Sequence, residues 1–237
     1  MKNTFEILFT PRYLLAGLVM IVTMGFIPDT QAGVALGATR VIYPAGQKQV
    51  QLPVSNNDEN STFLIQSWVE NAKGNKDGRF VITPPLFAMQ GKKENTLRIL
   101  DTANTELPQD RESLFWINVK AIPSMDKSQL SDNTLQLAII SRIKLYYRPA
   151  GLTLPPEQAA EKLSFRRGAD TLTLVNPTPY YLTVTELHAG ARKLDNTLVP
   201  PAGESVVKLP SDAGNNITFR TINDYGALTP QMSGTAK

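Results

Sequence analysis

The chain has 237 residues, with 24 Lys and Arg against 21 Asp and Glu, a formal net charge of +3 and no cysteine. Its charges are spread along the chain without a basic block, and no recognition-helix, zinc-finger or RRM-type pattern occurs, so nucleic acid is not an expected partner. Without cysteine there is no thiol catalysis, no thiolate metal site and no disulfide framework, and ordinary hydrophobic cores must carry the stability.

The first 32 residues read as a secretion signal. Lys2 and Arg12 give a positive start, Leu14 to Ile27 form an apolar run, and Pro28 breaks it. Thr30-Gln31-Ala32 then offers small residues for a cut after Ala32. The run is too short for a spanning helix, so no stable membrane insertion is expected after cleavage. Gly33–Lys237 remains, long enough for two domains of about 100 residues.

From Val34 short strands follow one another. They are expected over Val34–Tyr43, Gln49–Val54, Thr62–Val69, Phe80–Thr83, Leu97–Leu100 and Leu114–Ile122. Turns rich in Pro, Gly and Asn separate them, and Pro84-Pro85 cannot sit in a central strand. Then comes Asn133–Pro149, N-T-L-Q-L-A-I-I-S-R-I-K-L-Y-Y-R-P. Leu135, Leu137, Ile139, Ile143 and Leu145 share one face, while Arg142, Lys144, Tyr146 and Arg148 share the other. From Leu135 to Tyr147 such a strand would extend roughly 40 Å, about twice the usual length. Either it bends between two sheets, or part of it overhangs and waits for a partner.

Ala150–Pro156 is the expected linker, and Pro155 to Leu163 reads as one or two proline-started helical turns. A second, smaller β domain follows, with strands at Leu163–Phe165, Thr171–Val175, Tyr180–Leu187, Ser205–Leu209 and Asn216–Thr221. The terminal Gln231–Lys237 reads as a polar tail. The expected division is 33–152 and 153–237. A lone His188, with no nucleophile elbow, Walker or Rossmann pattern and no carboxylate cluster at metal spacing, predicts no catalytic residue, metal or cofactor.

Several stretches carry a resemblance. L-P-Q-D-R-E-S-L-F-W-I-N-V-K-A-I-P-S at Leu107–Ser124 is a charged turn leading into a strand with Leu114, Trp116 and Asn118 on one face. It resembles, position by position, the pattern of the periplasmic pilus-assembly chaperones. T-P-P-L-F at Thr83–Phe87, R-I-K-L-Y-Y-R-P at Arg142–Pro149 and N-P-T-P-Y-Y at Asn176–Tyr181 match as well, and Gly33–Pro44 is similar to the mature start of the type 1 fimbrial members. The resemblance spans the chain beyond the signal. It implies an all-β fold of two immunoglobulin-like β-sandwich domains in a boomerang arrangement. It also implies an ATP-independent periplasmic chaperone that lends its long strand to fimbrial subunits and adhesin, then delivers them to an outer-membrane usher. Strand addition of this kind is a known mode of recognition.

On this resemblance Leu135, Leu137 and Ile139 fill the subunit's groove, while Ile143 and Leu145 cover the chaperone's own core. Arg40 and Lys144 match the pair that grips the subunit's terminal carboxylate in the cleft between the domains. Two cations held together repel unless an anion joins them; from the residues alone solvated surface charges are the favoured reading of both, and it is the resemblance that reverses it. Glu112, Arg148 and Asp224 match the interdomain ion-pair positions. The short polar connection Ser124–Asn133 resembles the short-loop branch of the family. A structural fimbrial subunit or adhesin is the alternative, and the missing disulfide argues against it. A periplasmic enzyme is a third possibility, opposed by the missing catalytic constellations.

Overall fold

Strands with one apolar face build two pairs of sheets. A computed structural model describes residues 33–103, 106–124 and 135–237; the expected signal at 1–32 and most of the 124–133 connection lie outside them. In the first pair, a four-stranded sheet runs β1 (Val34–Leu36), β3 (Gln49–Asn56), β7 (Glu94–Asp101) and β5 (Phe80–Thr83). Facing it is a five-stranded sheet in the order β2 (Arg40–Pro44), β9 (Ile139–Arg148), β8 (Ser113–Pro123), β4 (Phe63–Asn71) and β6 (Leu86–Met89). Alternate residues point inward, so Leu52, Val54, Ile65, Leu97, Ile99, Ile117 and Leu145 meet Tyr43 and Phe80 in one core. Each large aliphatic side chain buried there is worth roughly 1.5–3 kcal/mol.

The stretch expected as one strand, Val34–Tyr43, is two. β1 pairs with β3, whereas β2 lies parallel to β9 in the opposite sheet. The change of sheet follows Gly37, whose amide donates to the Pro53 carbonyl at 2.8 Å. A Cβ on Gly37 would sit 3.1 Å from that of Pro53, so the close approach is tightest for any larger residue.

β9 also begins later than expected, at Ile139 rather than Leu135. A strand needs a ladder, and the neighbouring β8 gives out: its last pairing with β9 is Ala121 with Ile139, and it ends at Pro123, which has no N–H. Leu135–Ala138 therefore continue without a ladder, held by Gln136 Nε2 donating to the Pro123 carbonyl at 2.6 Å. On β8 the face carrying Leu114, Trp116 and Asn118 turns outward, while Phe115, Ile117, Val119 and Ala121 enter the core.

Beyond Arg148 a 3-10 helix, Pro156–Lys162, starts with proline in its first turn, and its Ala159 packs with Tyr180 and Leu182. The second pair of sheets has three strands, β10 (Ser164–Arg167), β11 (Thr171–Asn176) and β15 (Gly203–Lys208). Against them lie five: β12 (Leu182–Ala189), β13 (Arg192–Lys193), β14 (Thr197–Val199), β16 (Asn216–Thr221) and β17 (Met232–Thr235). The expected polar tail is in fact structured. β17 pairs with β16, and Lys237 is tied to β10 by hydrogen bonds, its amide donating to the Phe165 carbonyl and its carbonyl oxygen accepting from the Arg167 amide. The fold is all-β with two sandwich domains.

Candidate functional site

β9 is bordered by β8 along Ile139–Tyr147 and by β2 only along Lys144–Arg148. The edge from Ile139 to Ile143 has no strand on its β2 side among the described residues. Side-chain burial follows the same division. Leu135, Leu137 and Ile139 are 79%, 67% and 67% exposed, whereas Leu145 is fully buried and Ile143 packs partly against the core.

Arg40 and Lys144 are direct partners in the parallel β2–β9 register, and they stand where the open edge ends. Arg40 is buried. Its Nη1 donates to the Ile222 carbonyl at 2.9 Å, while Nε has no partner. Lys144 Nζ approaches Thr183 Oγ1 at 3.4 Å. Burial, with the Arg40 charge adding to it, lowers the Lys144 ammonium below its ordinary value. Both cations therefore reach from the first domain to the second. A cleft of about 450 Å³ opens beside them; Arg40 lines it together with Tyr146, Tyr180, Tyr181 and Asp224, and Lys144 stands outside its lining.

Glu112, Arg148 and Asp224 come together across the two domains. Arg148 meets Glu112 Oε1 at 2.8 Å and grips Asp224 with both terminal nitrogens, at 2.6 and 2.9 Å. Glu112 Oε2 accepts the Tyr181 amide at 2.8 Å, and the Glu112 amide donates to the Pro179 carbonyl. Tyr146 stacks on Tyr181 with centroids 5.5 Å apart, and Arg148 lies 5.0 Å from the Tyr180 ring.

The two ion-pair partners respond differently to this setting. Burial works against the Arg148 guanidinium, but bonds to Asp224 and Glu112 outweigh it and hold the group above its ordinary value. At Glu112 burial prevails and pushes the carboxyl up despite Arg148 and the Tyr181 amide. The pair thus offsets much of its own desolvation and adds geometry more than net stability. Burial also pushes the Tyr146 hydroxyl up, to about 12.

Comparison with known proteins decides the family. Residues 33–153 match "Pili and flagellar-assembly chaperone, PapD N-terminal domain", and residues 158–233 match "Pili assembly chaperone PapD, C-terminal domain". The chain belongs to the PapD family of pilus-assembly chaperones. It is 79% identical over 221 residues to chaperone protein FimC of Escherichia coli O6:H1, covering 93% of this chain and 92% of the relative. The crystal structure of the periplasmic chaperone SfaE is similar at 65% identity and a TM-score of 0.77, over 86% of this chain and 100% of that one. A structure of the Salmonella enterica SafA pilin in complex with the SafB chaperone is similar at 31% identity and a TM-score of 0.78, over 88% and 98%.

The chaperone's outward sheet face brings together groups whose contact the sequence did not reveal. Trp68, Glu70, Trp116 and Arg142 interlock on β4, β8 and β9: Trp68 Nε1 donates to Glu70 Oε1 at 2.9 Å, Arg142 Nη2 meets Glu70 Oε2 at 3.0 Å, and Arg142 lies 4.4 Å from the Trp116 ring centroid. Only the strand register, which sets Glu70 opposite Trp116 and Trp116 opposite Lys144, reveals this row. Among the described residues no group of His, Asp or Glu has the arrangement to hold a metal, and no helix is long and apolar enough to cross a membrane. His188 sits on β12 with Nδ1 near the Glu186 carbonyl.

Proposed function

We propose that this chaperone acts in the periplasm on fimbrial subunits, adhesin included, by adding β9 to the subunit as a strand, and that it passes them to an outer-membrane usher. The observation that carries the reading is the open β9 edge from Ile139 to Ile143, continued by exposed Leu137 and Leu135 and closed at its far end by two cations. Leu135, Leu137 and Ile139 enter the subunit's apolar groove. Burying the three is worth roughly 1.5–3 kcal/mol each. Arg40 and Lys144 take the subunit's terminal carboxylate, which removes their mutual repulsion and gives Arg40 Nε an acceptor. Glu112, Arg148 and Asp224 hold the domains, divided near 152–153, at the angle that lets both cations reach one carboxylate. The work is binding, with no bond made or broken, no ATP and no cofactor.

Co-expression with fimbrial subunits and a pull-down from periplasm tests this. A subunit unstable alone should co-elute one-to-one with the chaperone. Arg40→Ala and Lys144→Ala should each weaken capture by roughly 1.5–3 kcal/mol, about ten- to a hundredfold. Capture that is unchanged in both variants removes the anchor.

A further inference from the structure

The Lys144 ammonium is placed poorly for a group meant to receive an anion. Burial and Arg40 both disfavour its charge, Arg142 is two residues away on the same face, and its stem is a flexible four-carbon chain. The charged or titratable groups around it are Arg40 on β2, Arg142, Tyr146 and Arg148 on β9, Glu70 on β4, Glu112 just before β8, and Tyr181 and Asp224 across the cleft. Three carboxylates reach the cations of this row and all are committed, Glu112 and Asp224 to Arg148 and Glu70 to Arg142. What remains next to Lys144 on its own sheet is an indole. Trp116 is its direct cross-strand partner, with Nζ 6.0 Å from the ring centroid, and the same ring lies 4.4 Å from the Arg142 guanidinium.

We propose that Trp116 is a positioning residue of the carboxylate anchor, its ring holding the charged Lys144 upright toward the second domain and apart from Arg142. An aromatic face attracts a cation without neutralising it and offers no acceptor that competes with an arriving carboxylate. A carboxylate at this position would pair with Lys144 and take the anion's place. Trp116 itself is kept in place by the interlocked group beside it: Glu70 fixes Arg142, and Arg142 lies over the ring. The inference rests on the anchor reading above and deepens it, since Trp116 acts only through Lys144.

The probe is a peptide carrying the last strand of the subunit recovered in the pull-down, made as free acid and as C-terminal amide and titrated against the intact chaperone. The wild type should prefer the acid. Trp116→Leu should lose roughly fivefold of that preference at neutral pH, and the pH at which the preference fades should fall, because Lys144 without the ring loses its proton sooner. Trp116→Phe should restore most of it. A merely structural role predicts the opposite pattern: equal weakening for acid and amide, an unmoved pH profile and a lower urea midpoint. If Leu does not fold at this position, Trp116→Thr, a good strand former, is read in the same way. Loss of acid preference in Lys144→Ala with full preference in the Trp116 variants overturns the role of Trp116 alone. Full preference in Lys144→Ala overturns the anchor and this inference with it.

Discussion

Ile139 and Leu145 lie on the same face of the same strand, yet the first is largely exposed and the second is sealed in the core. Their chemistry is nearly identical, so the difference comes from their neighbours. Leu145 has β2 on one side, β8 on the other and the opposing sheet above it. At Ile139 the last rung of β8 is reached and β2 is absent. The comparison separates two uses of one alternating pattern: where the sandwich is complete, apolar side chains stabilise the chain that carries them, and where it is incomplete they are available to another chain.

A charge placed at each end breaks the comparison most directly. Leu145→Glu should destabilise the chaperone by more than about 4 kcal/mol or prevent folding, since a carboxylate there would be buried without a partner. Leu137→Glu should leave the urea midpoint unchanged and abolish subunit capture. Equal destabilisation of the two variants would assign Leu137 to the chaperone's own core and remove the division.

The junction sharpens the same contrast with a smaller effect. Glu112→Ala leaves Arg148 half-buried with Asp224 alone and should cost roughly 3 kcal/mol in urea melts, whereas Glu204→Ala, from the exposed Arg166 pair, should change nothing measurable. Matching effects would mean that burial does not distinguish the two pairs.

The smallest expected effect is in pH. The folded-state value of Lys144 lies below its unfolded value, so the folded chain favours the neutral amine. Its contribution to stability is present above the ordinary lysine value and is lost as pH falls through the lowered one. A bound carboxylate favours the charged form, so capture should take up a proton and weaken as pH rises through that same range. Calorimetry in two buffers of different ionisation enthalpy should show the uptake in the wild type. Uptake that persists in Lys144→Met would assign the proton elsewhere.

Much of this was legible in the sequence, and what was not has a common cause. The alternation of Leu135 to Leu145, the strands Phe80–Thr83 and Asn216–Thr221, and the meeting of Glu112, Arg148 and Asp224 were readable because each depends on local pattern or on a resemblance carried by exact residues. The break between β1 and β2, the late start of β9, and the short strands β6, β13, β14 and β17 were not. Each depends on which backbone lies alongside. Met232–Thr235 is polar enough to read as a tail until β16 is seen beside it. The relation of Trp116 to Lys144 was hidden for the same reason: a spacing of 28 positions becomes a contact only through the β8–β9 register.

The change of sheet at Gly37 has a consequence for measuring length. Because the chain leaves β3 there and joins β9 only at Arg40, β2 occupies one stretch of the β9 edge and the rest has no neighbouring strand on that side among the described residues. On the proposed function, an incoming strand that presents its carboxylate to Arg40 would lie in line with β2, head to tail on the same rail and parallel to β9. Its last residue is stopped at a fixed mark, and every earlier residue is counted back from there. The phase of the guest strand is then set by where β2 begins. A client whose apolar residues fall on the wrong count would meet Leu135, Leu137 and Ile139 with its polar side.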